Sequence, residues 1–208
     1  MKSKVKICGI TNADDAKLAI DEGADYIGLI FAPSKRQVIK GQVKIITDAF
    51  PGFKNWVAVF MDGKKKEIES VLEGLPIKLI QFHGKETPSF CNYFVKRGYD
   101  VIKAIPVSER GVEINPSDYK KVAFFLFDTV VNGQSGGTGK VFSWDIFKNL
   151  NLDKEQIILS GGLTADNILA AVEQVQPYCV DVSSGVESVP GKKDKAKIKE
   201  LFKKLNNE

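Results

Sequence analysis

The sequence is poor in the residues from which metal centres and disulfide frameworks are built. It holds one histidine, His83, and three cysteines, Cys8, Cys91 and Cys179. Three cysteines cannot all pair, and their spacing fits no zinc pattern. A reducing cytoplasm is the simplest compartment. No apolar run reaches the roughly 18 uninterrupted residues of a membrane-spanning helix. The amino terminus lacks the apolar core of a signal peptide, because a polar helix begins by about Asn12. Excess charge of one sign is also missing. Thirty basic residues face 26 acidic ones, a net charge of +4, which leaves no electrostatic footprint for nucleic acid. The lysines clustered at 64–66 and along 192–204 are expected on solvated helix faces. No proline- or serine-rich linker divides the chain, so residues 1–208 are expected to form a single domain with a substantial core.

What is present is an alternation of two patterns from end to end. Short, nearly continuous apolar runs occur at 5–7, 26–31, 57–60, 79–82, 101–105, 123–127, 157–159 and 180–182. Runs without polar alternation suit strands of a parallel sheet covered on both faces. Helical patterns fill the gaps, about seven of them clear. In "TNADDAKLAIDEG", Thr11 or Asn12 can cap, Asp14 and Asp15 suit a helix start, and Gly23 suits its stop. Ala16, Ala19 and Ile20 keep one buried face there, as do Ile68, Val71 and Leu72 further on, and Ile198, Leu201 and Phe202 near the end. The exception is 108–121, where Gly111 and Pro116 argue for a loop or one short turn. Eight βα units in this length favour a closed (βα)8 barrel with a weak or missing fifth helix. An open doubly wound sheet is the structural alternative.

In such a barrel, functional groups come from the carboxyl ends of the strands. The polar residues closing the apolar runs are therefore informative. The first run ends in Cys8, the fourth carries Gln81 and ends near His83, and the sixth ends in Asp128. The seventh ends in Ser160, Gly161 and Gly162, and the eighth in Ser183, Ser184 and Gly185. Cys8 and Asp128 suit proton transfer, and both should face one mouth. Two small glycine-rich turns on the final two strands match the phosphate site of this architecture, although tight turning alone would also use them. Arg36, after the second run, can clamp a carboxylate with its planar fork or simply belong to an exposed basic loop. Asp181, between two valines, points either into the mouth or toward the helices. A lone histidine such as His83 is structural more often than functional. Cys91 and Cys179 read as core cysteines. The glycine-rich stretch after Asp128 lacks the spacing of a nucleotide-binding loop and reads as a mobile lid.

Several segments together resemble one family. They are "KICGIT" at 6–11, "GADYIGLIF" at 23–31, "SKR" at 34–36, "QFHG" at 81–84, "GGTGKVFSW" ending at Trp144, "LSGGL" at 159–163, "DVSSGVE" at 181–187 and "PGKKD" at 190–194. In this order, from residue 4 to about 205, they resemble phosphoribosylanthranilate isomerase. The resemblance implies a (βα)8 barrel, a step of tryptophan biosynthesis, and no cofactor or metal. It implies an Amadori rearrangement of N-(5′-phosphoribosyl)anthranilate to 1-(2-carboxyphenylamino)-1-deoxyribulose 5-phosphate. It makes Cys8 the general base and Asp128 the general acid, sets Arg36 against the anthranilate, and gives the phosphate to Gly161, Gly162, Ser184 and Gly185. His83 and Asp181 are further candidates for substrate binding. A working base must be partly thiolate, so a neighbour should lower the Cys8 pKa from about 8.5. Lys6 is a candidate if the strand is regular to its end. The expected partner is the phosphorylated sugar–anthranilate substrate, with no nucleic acid and no membrane, and monomer and homodimer stay equally open.

Overall fold

The computed structural model describes residues 3–108, 111–112, 114–131, 134–135 and 153–206. Its centre is a ring of eight parallel strands: β1 (Lys4–Cys8), β2 (Tyr26–Ile30), β3 (Trp56–Phe60), β4 (Leu79–Phe82), β5 (Asp100–Ser108), β6 (Phe124–Val131), β7 (Ile157–Ser160) and β8 (Cys179–Val182). Each strand pairs with the next, and β8 pairs back onto β1, which closes the barrel. An open sheet is thereby excluded.

Among the described residues six α-helices pack outside the ring: α1 (Ala13–Asp21), α2 (Lys40–Asp48), α3 (Lys65–Leu72), α4 (Pro88–Val95), α5 (Ile168–Val175) and α6 (Lys195–Leu205). Local chemistry sets their ends. Asn12 caps α1 by accepting from the Asp15 N–H at 2.8 Å, and Gly23 follows the helix at φ +106°. Between β5 and β6 the chain pairs Gly111–Val112 back onto Val107 and Ser108, then makes a single 3₁₀ turn, Pro116–Asp118, capped by Asn115. The expected weakness of the fifth unit is therefore found as one short turn. The glycine-rich stretch read as a lid lies largely outside the described residues.

Two apolar layers result. Side chains such as Ile7, Leu29, Trp56 and Phe82 point outward and are buried under the helices. Val57, Leu79, Ile102, Leu126 and Ile158 point inward and fill the barrel. The floor is closed by the Tyr26 and Tyr178 hydroxyls, 2.7 Å apart, with Phe124 stacked on Tyr178. Above that floor the interior turns polar, and the chemistry lies there.

Candidate active site

Cys8 ends β1 and is 6% exposed. The strand register sets it opposite Gly28 of β2. A Cβ at Gly28 would lie 2.6 Å from the Cys8 Sγ and 3.0 Å from its Cα. Gly28 therefore supplies the space the thiol occupies. Beyond Cys8 the chain turns at Gly9, with φ +79°, a conformation that glycine adopts without strain. The Gly9 and Ile10 N–H groups both donate to the Gly28 carbonyl, at 2.9 and 3.1 Å.

One pleat below Cys8, Lys6 points into the barrel, so β1 is regular to its end. Its Nζ donates to Asp181 Oδ1 at 2.9 Å, and the two side chains are only 1% and 5% exposed. Asp181 thus faces the interior rather than the helix layer. Burial disfavours the Lys6 ammonium, but Asp181 and Cys8 outweigh it and hold its pKa above the ordinary value. For Cys8 the balance goes the other way. Burial in the apolar strand ends pushes the thiol up, Lys6 pulls it down, and Asp181 pushes it up again. The net shift is upward, which corrects the expectation of a depressed thiol. Lys6 is nevertheless the leading influence in the lowering direction.

Asp128 lies in register with Pro106 of β5 and Ser160 of β7. Its Oδ2 is 3.2 Å from His83 Nε2, and His83 Nδ1 is 2.9 Å from Gln81 Nε2. Gln81 donating to Nδ1 leaves the Nε2–H of a neutral ring to donate to Asp128. The lone histidine therefore belongs to the site, and Gln81 orients it.

The turns after β7 and β8 face the same space. Gly161 and Gly162 take φ +95° and +64° in succession. Asn167 braces their loop, accepting from the Thr164 N–H at 2.9 Å and donating to the Gly162 carbonyl at 3.0 Å. Cys8, Arg36, His83, Asp128, Gly161, Gly162, Asp181 and Ser184 all line one cavity at the carboxyl ends of the strands. Gly185 does not line it. A Cβ there would meet the Leu163 carbonyl oxygen at 1.9 Å, so this glycine serves the contact between the two turns.

Arg36 reaches the cavity with its guanidinium held by Glu187, Nε on Oε1 and Nη2 on Oε2, both at 2.7 Å. Glu187 in turn accepts from Lys193 Nζ at 3.0 Å. Sequence reasoning missed Glu187 and misplaced Lys193. The lysines at 192, 195, 197, 199, 203 and 204 are exposed as expected, but Lys193 is 4% exposed and buried in the hairpin of Glu187–Val189 with Lys192–Lys193. Its charge is met by Glu187 and by the Cys8 and Ser183 carbonyls, at 2.7 and 3.1 Å. Among the described residues no His, Cys, Asp and Glu group could hold a metal ion, and no helix is long and apolar enough to cross a membrane.

Comparison with known proteins gives one result. The family model described as N-(5′phosphoribosyl)anthranilate (PRA) isomerase matches residues 5–204. An N-(5′-phosphoribosyl)anthranilate isomerase from Pelobacter propionicus is 43% identical over 201 residues, covering 96% of this chain and 94% of that relative. A crystal structure of the phosphoribosyl anthranilate isomerase of Thermotoga maritima superposes with TM-score 0.87 at 34% identity, covering 99% of this chain and 100% of that one. Another solved isomerase, in complex with reduced 1-(o-carboxyphenylamino)-1-deoxyribulose 5-phosphate, superposes with TM-score 0.82 at 33% identity, covering 99% of this chain and 100% of that one. Sequence and fold agree over almost the full length, and the chain belongs to the N-(5′-phosphoribosyl)anthranilate isomerase family.

Proposed function

We propose that this isomerase of tryptophan biosynthesis works by an Amadori rearrangement under general acid–base catalysis, with Asp128 as acid and Cys8 as base. Asp128 protonates the furanose ring oxygen, the C1′–O4′ bond breaks, and a protonated Schiff base forms. The Cys8 thiolate then removes the C2′ proton, and the electron pair passes toward nitrogen to give an enolamine. Return of a proton to C1′ and loss of the O2′ proton yields the ketone. Atoms and electrons balance without an external oxidant or reductant.

The observation that carries this reading is the convergence of Cys8 and Asp128 on one cavity from different walls of the barrel, three strand steps apart. The other liners support it. The bare backbone at Gly161 and Gly162, with Ser184 beside it, suits a phosphate at the far end of the substrate. Arg36 suits the anthranilate carboxylate. His83, with its side chain 31% exposed, connects Asp128 to solvent and is a route for returning the proton that Asp128 gives up. Lys6 supplies the positive charge that favours the Cys8 thiolate once the base is called on. Three buried, unpaired cysteines support a cytoplasmic setting.

The test is loss of substrate fluorescence with purified protein, run without added metal and again with chelator. Turnover should be equal in both. Cys8→Ser and Asp128→Asn should each lower turnover by about a hundredfold or more with the fold intact. Near-normal turnover in either variant would overturn its assigned role.

A further inference from the structure

We propose that Glu187 is a positioning residue that divides the Arg36 guanidinium into two working edges, one held by the protein and one presented to the carboxylate of an aryl-amine ligand. This rests on the reading above that Arg36 meets the anthranilate group. Nothing in that reading assigns a role to Glu187 or to the hairpin that carries it.

The geometry is specific. Arginine is scarce in this chain, three residues against 27 lysines, and Arg36 lies in the cavity. Glu187 takes its Nε–Nη2 edge in a parallel two-bond pair, both bonds at 2.7 Å. A guanidinium has five N–H groups in a rigid plane. With Nε–H and one Nη2–H occupied, the remaining donors are the second Nη2–H and both on Nη1. Two of these form the end-on fork, spaced to meet both oxygens of another carboxylate. The Arg36 side chain is 23% exposed and lines the cavity, whereas the Glu187 side chain is 4% exposed and does not, so the held edge is dry and the other edge is the one left for a ligand. Burial opposes the Glu187 charge, but Arg36 and Lys193 overcome it and hold its pKa below the ordinary range, so the anchor stays ionised.

Glu187 is itself anchored to the catalytic machinery. Lys193 bridges it to the Cys8 carbonyl. The Arg36 stem crosses bare backbone at Gly9, where a Cβ would strike Arg36 Cδ at 2.6 Å. Thr11 ties the hairpin to the β1 turn by donating to the Gly191 carbonyl at 2.8 Å. The fork and the base are therefore referenced to one ammonium group. Glu187 acts through Arg36 and has no direct part in proton transfer.

The test compares two ligands by equilibrium binding: reduced 1-(o-carboxyphenylamino)-1-deoxyribulose 5-phosphate and the same compound without the ring carboxylate. Glu187→Asp keeps the charge beside Lys193 but shortens the reach to Arg36. It should weaken the carboxylated ligand about tenfold, the order of one charge-assisted hydrogen bond, and leave the decarboxylated ligand within about twofold. In an Arg36→Met background it should have no further effect. Equal weakening of both ligands, or of neither, overturns the proposal. If Arg36→Met does not weaken the carboxylated ligand, the assignment of Arg36 to the carboxylate fails first. If Arg36→Met weakens it and Glu187→Asp does not, only the positioning role of Glu187 fails. Arg36→Lys leaves the Glu187–Lys193 pair in place and gives an independent arm. A lysine keeps the charge but has no planar fork, so preference for the carboxylated ligand should fall severalfold, to between wild type and Arg36→Met. Retained preference would overturn the proposal even if Glu187→Asp failed to fold.

Discussion

Replacing Gly28 with alanine should disable the enzyme through a single methyl group. The β1–β2 register sets residue 28 directly against Cys8. A Cβ there would lie 2.6 Å from Sγ, 3.0 Å from Cα and 3.1 Å from Cβ of Cys8. Ordinary contact between heavy atoms needs about 3.5–4.0 Å, so the sulfur must retreat by about 1 Å. Rotation about χ1 cannot relieve the contacts with Cα and Cβ, so β1 must shift as well. A misplacement of about 1 Å at a reacting group costs on the order of a hundredfold in rate. Overpacking a dense interior costs about 1–3 kcal/mol, equivalent to roughly 2–12 °C in Tm for a chain of this size. Fluorescence turnover, binding of the reduced product analogue and thermal melting separate the two effects. The expected result is a kcat about a hundredfold lower, a melting point several degrees lower and analogue affinity changed much less than kcat. Gly41→Ala is the control, because nothing lies within 4 Å of its would-be Cβ. It should leave turnover unchanged. A folded Gly28→Ala protein with more than half the normal kcat would refute the placement of Cys8 as the reacting group.

Other variants test other contacts. Lys6→Met leaves Asp181 buried and unpaired, which should cost about 3–5 kcal/mol, and Lys6→Met/Asp181→Leu should recover most of it; urea midpoints decide, and a cost under about 1 kcal/mol for the single variant would show that the pair is not desolvated. The same single variant removes the leading influence that lowers the Cys8 thiol, so the rising limb of kcat/KM against pH should move to higher pH, and an unmoved limb would separate Lys6 from the base. Burial raises the Cys8 and Cys179 thiols, so the folded state holds these protons more tightly than the unfolded chain. Stability from this source is present below about pH 8.5, the free-thiol value, and is lost as pH climbs toward the raised folded values, by up to about 1.4 kcal/mol at pH 9.5 for Cys179, whose thiol is raised furthest. An unchanged urea midpoint between pH 7.5 and 9.5 would contradict it. Gly185→Ala pushes a methyl group into the Leu163 carbonyl and should weaken inhibition by inorganic phosphate about tenfold or more by separating the two turns; unaltered inhibition would remove those turns from the phosphate reading.

The strands were legible because both faces of a parallel barrel are buried, which leaves apolar runs that a short window detects. All eight runs became strands, and the errors have a common form. The sixth run is expected to end at Phe127, yet β6 continues to Val131. The fifth is expected to end at Ile105, yet β5 continues through Pro106 to Ser108. Apolar continuity stops the sixth run before Asp128, but at a barrel mouth the polar residue is still in the strand and points at the ligand. Asp128 is such a residue. The interior cations were only partly legible. Lys6, Lys103 and Lys193 are at most 4% exposed; Lys6 is expected beside Cys8 if β1 is regular, whereas Lys193 reads as part of a solvated lysine cluster. Lys193 is met by the Cys8 carbonyl from 185 residues away, a contact that exists only because β8 closes onto β1. Lys103 donates to the Gly84 carbonyl at 2.6 Å and lies 3.4 Å from Glu86, whose carboxylate also accepts the Asp62 and Gly84 N–H groups. That network fixes the loop immediately after His83. Two of the three buried lysines thus hold the turn behind a group proposed to handle protons, Lys193 behind Cys8 and Lys103 behind His83, and the third, Lys6, biases Cys8 directly. Burying an ammonium is costly unless its partners are already in place. These lysines are therefore best understood as positional constraints on the mouth, expensive in isolation and effective only in the closed barrel.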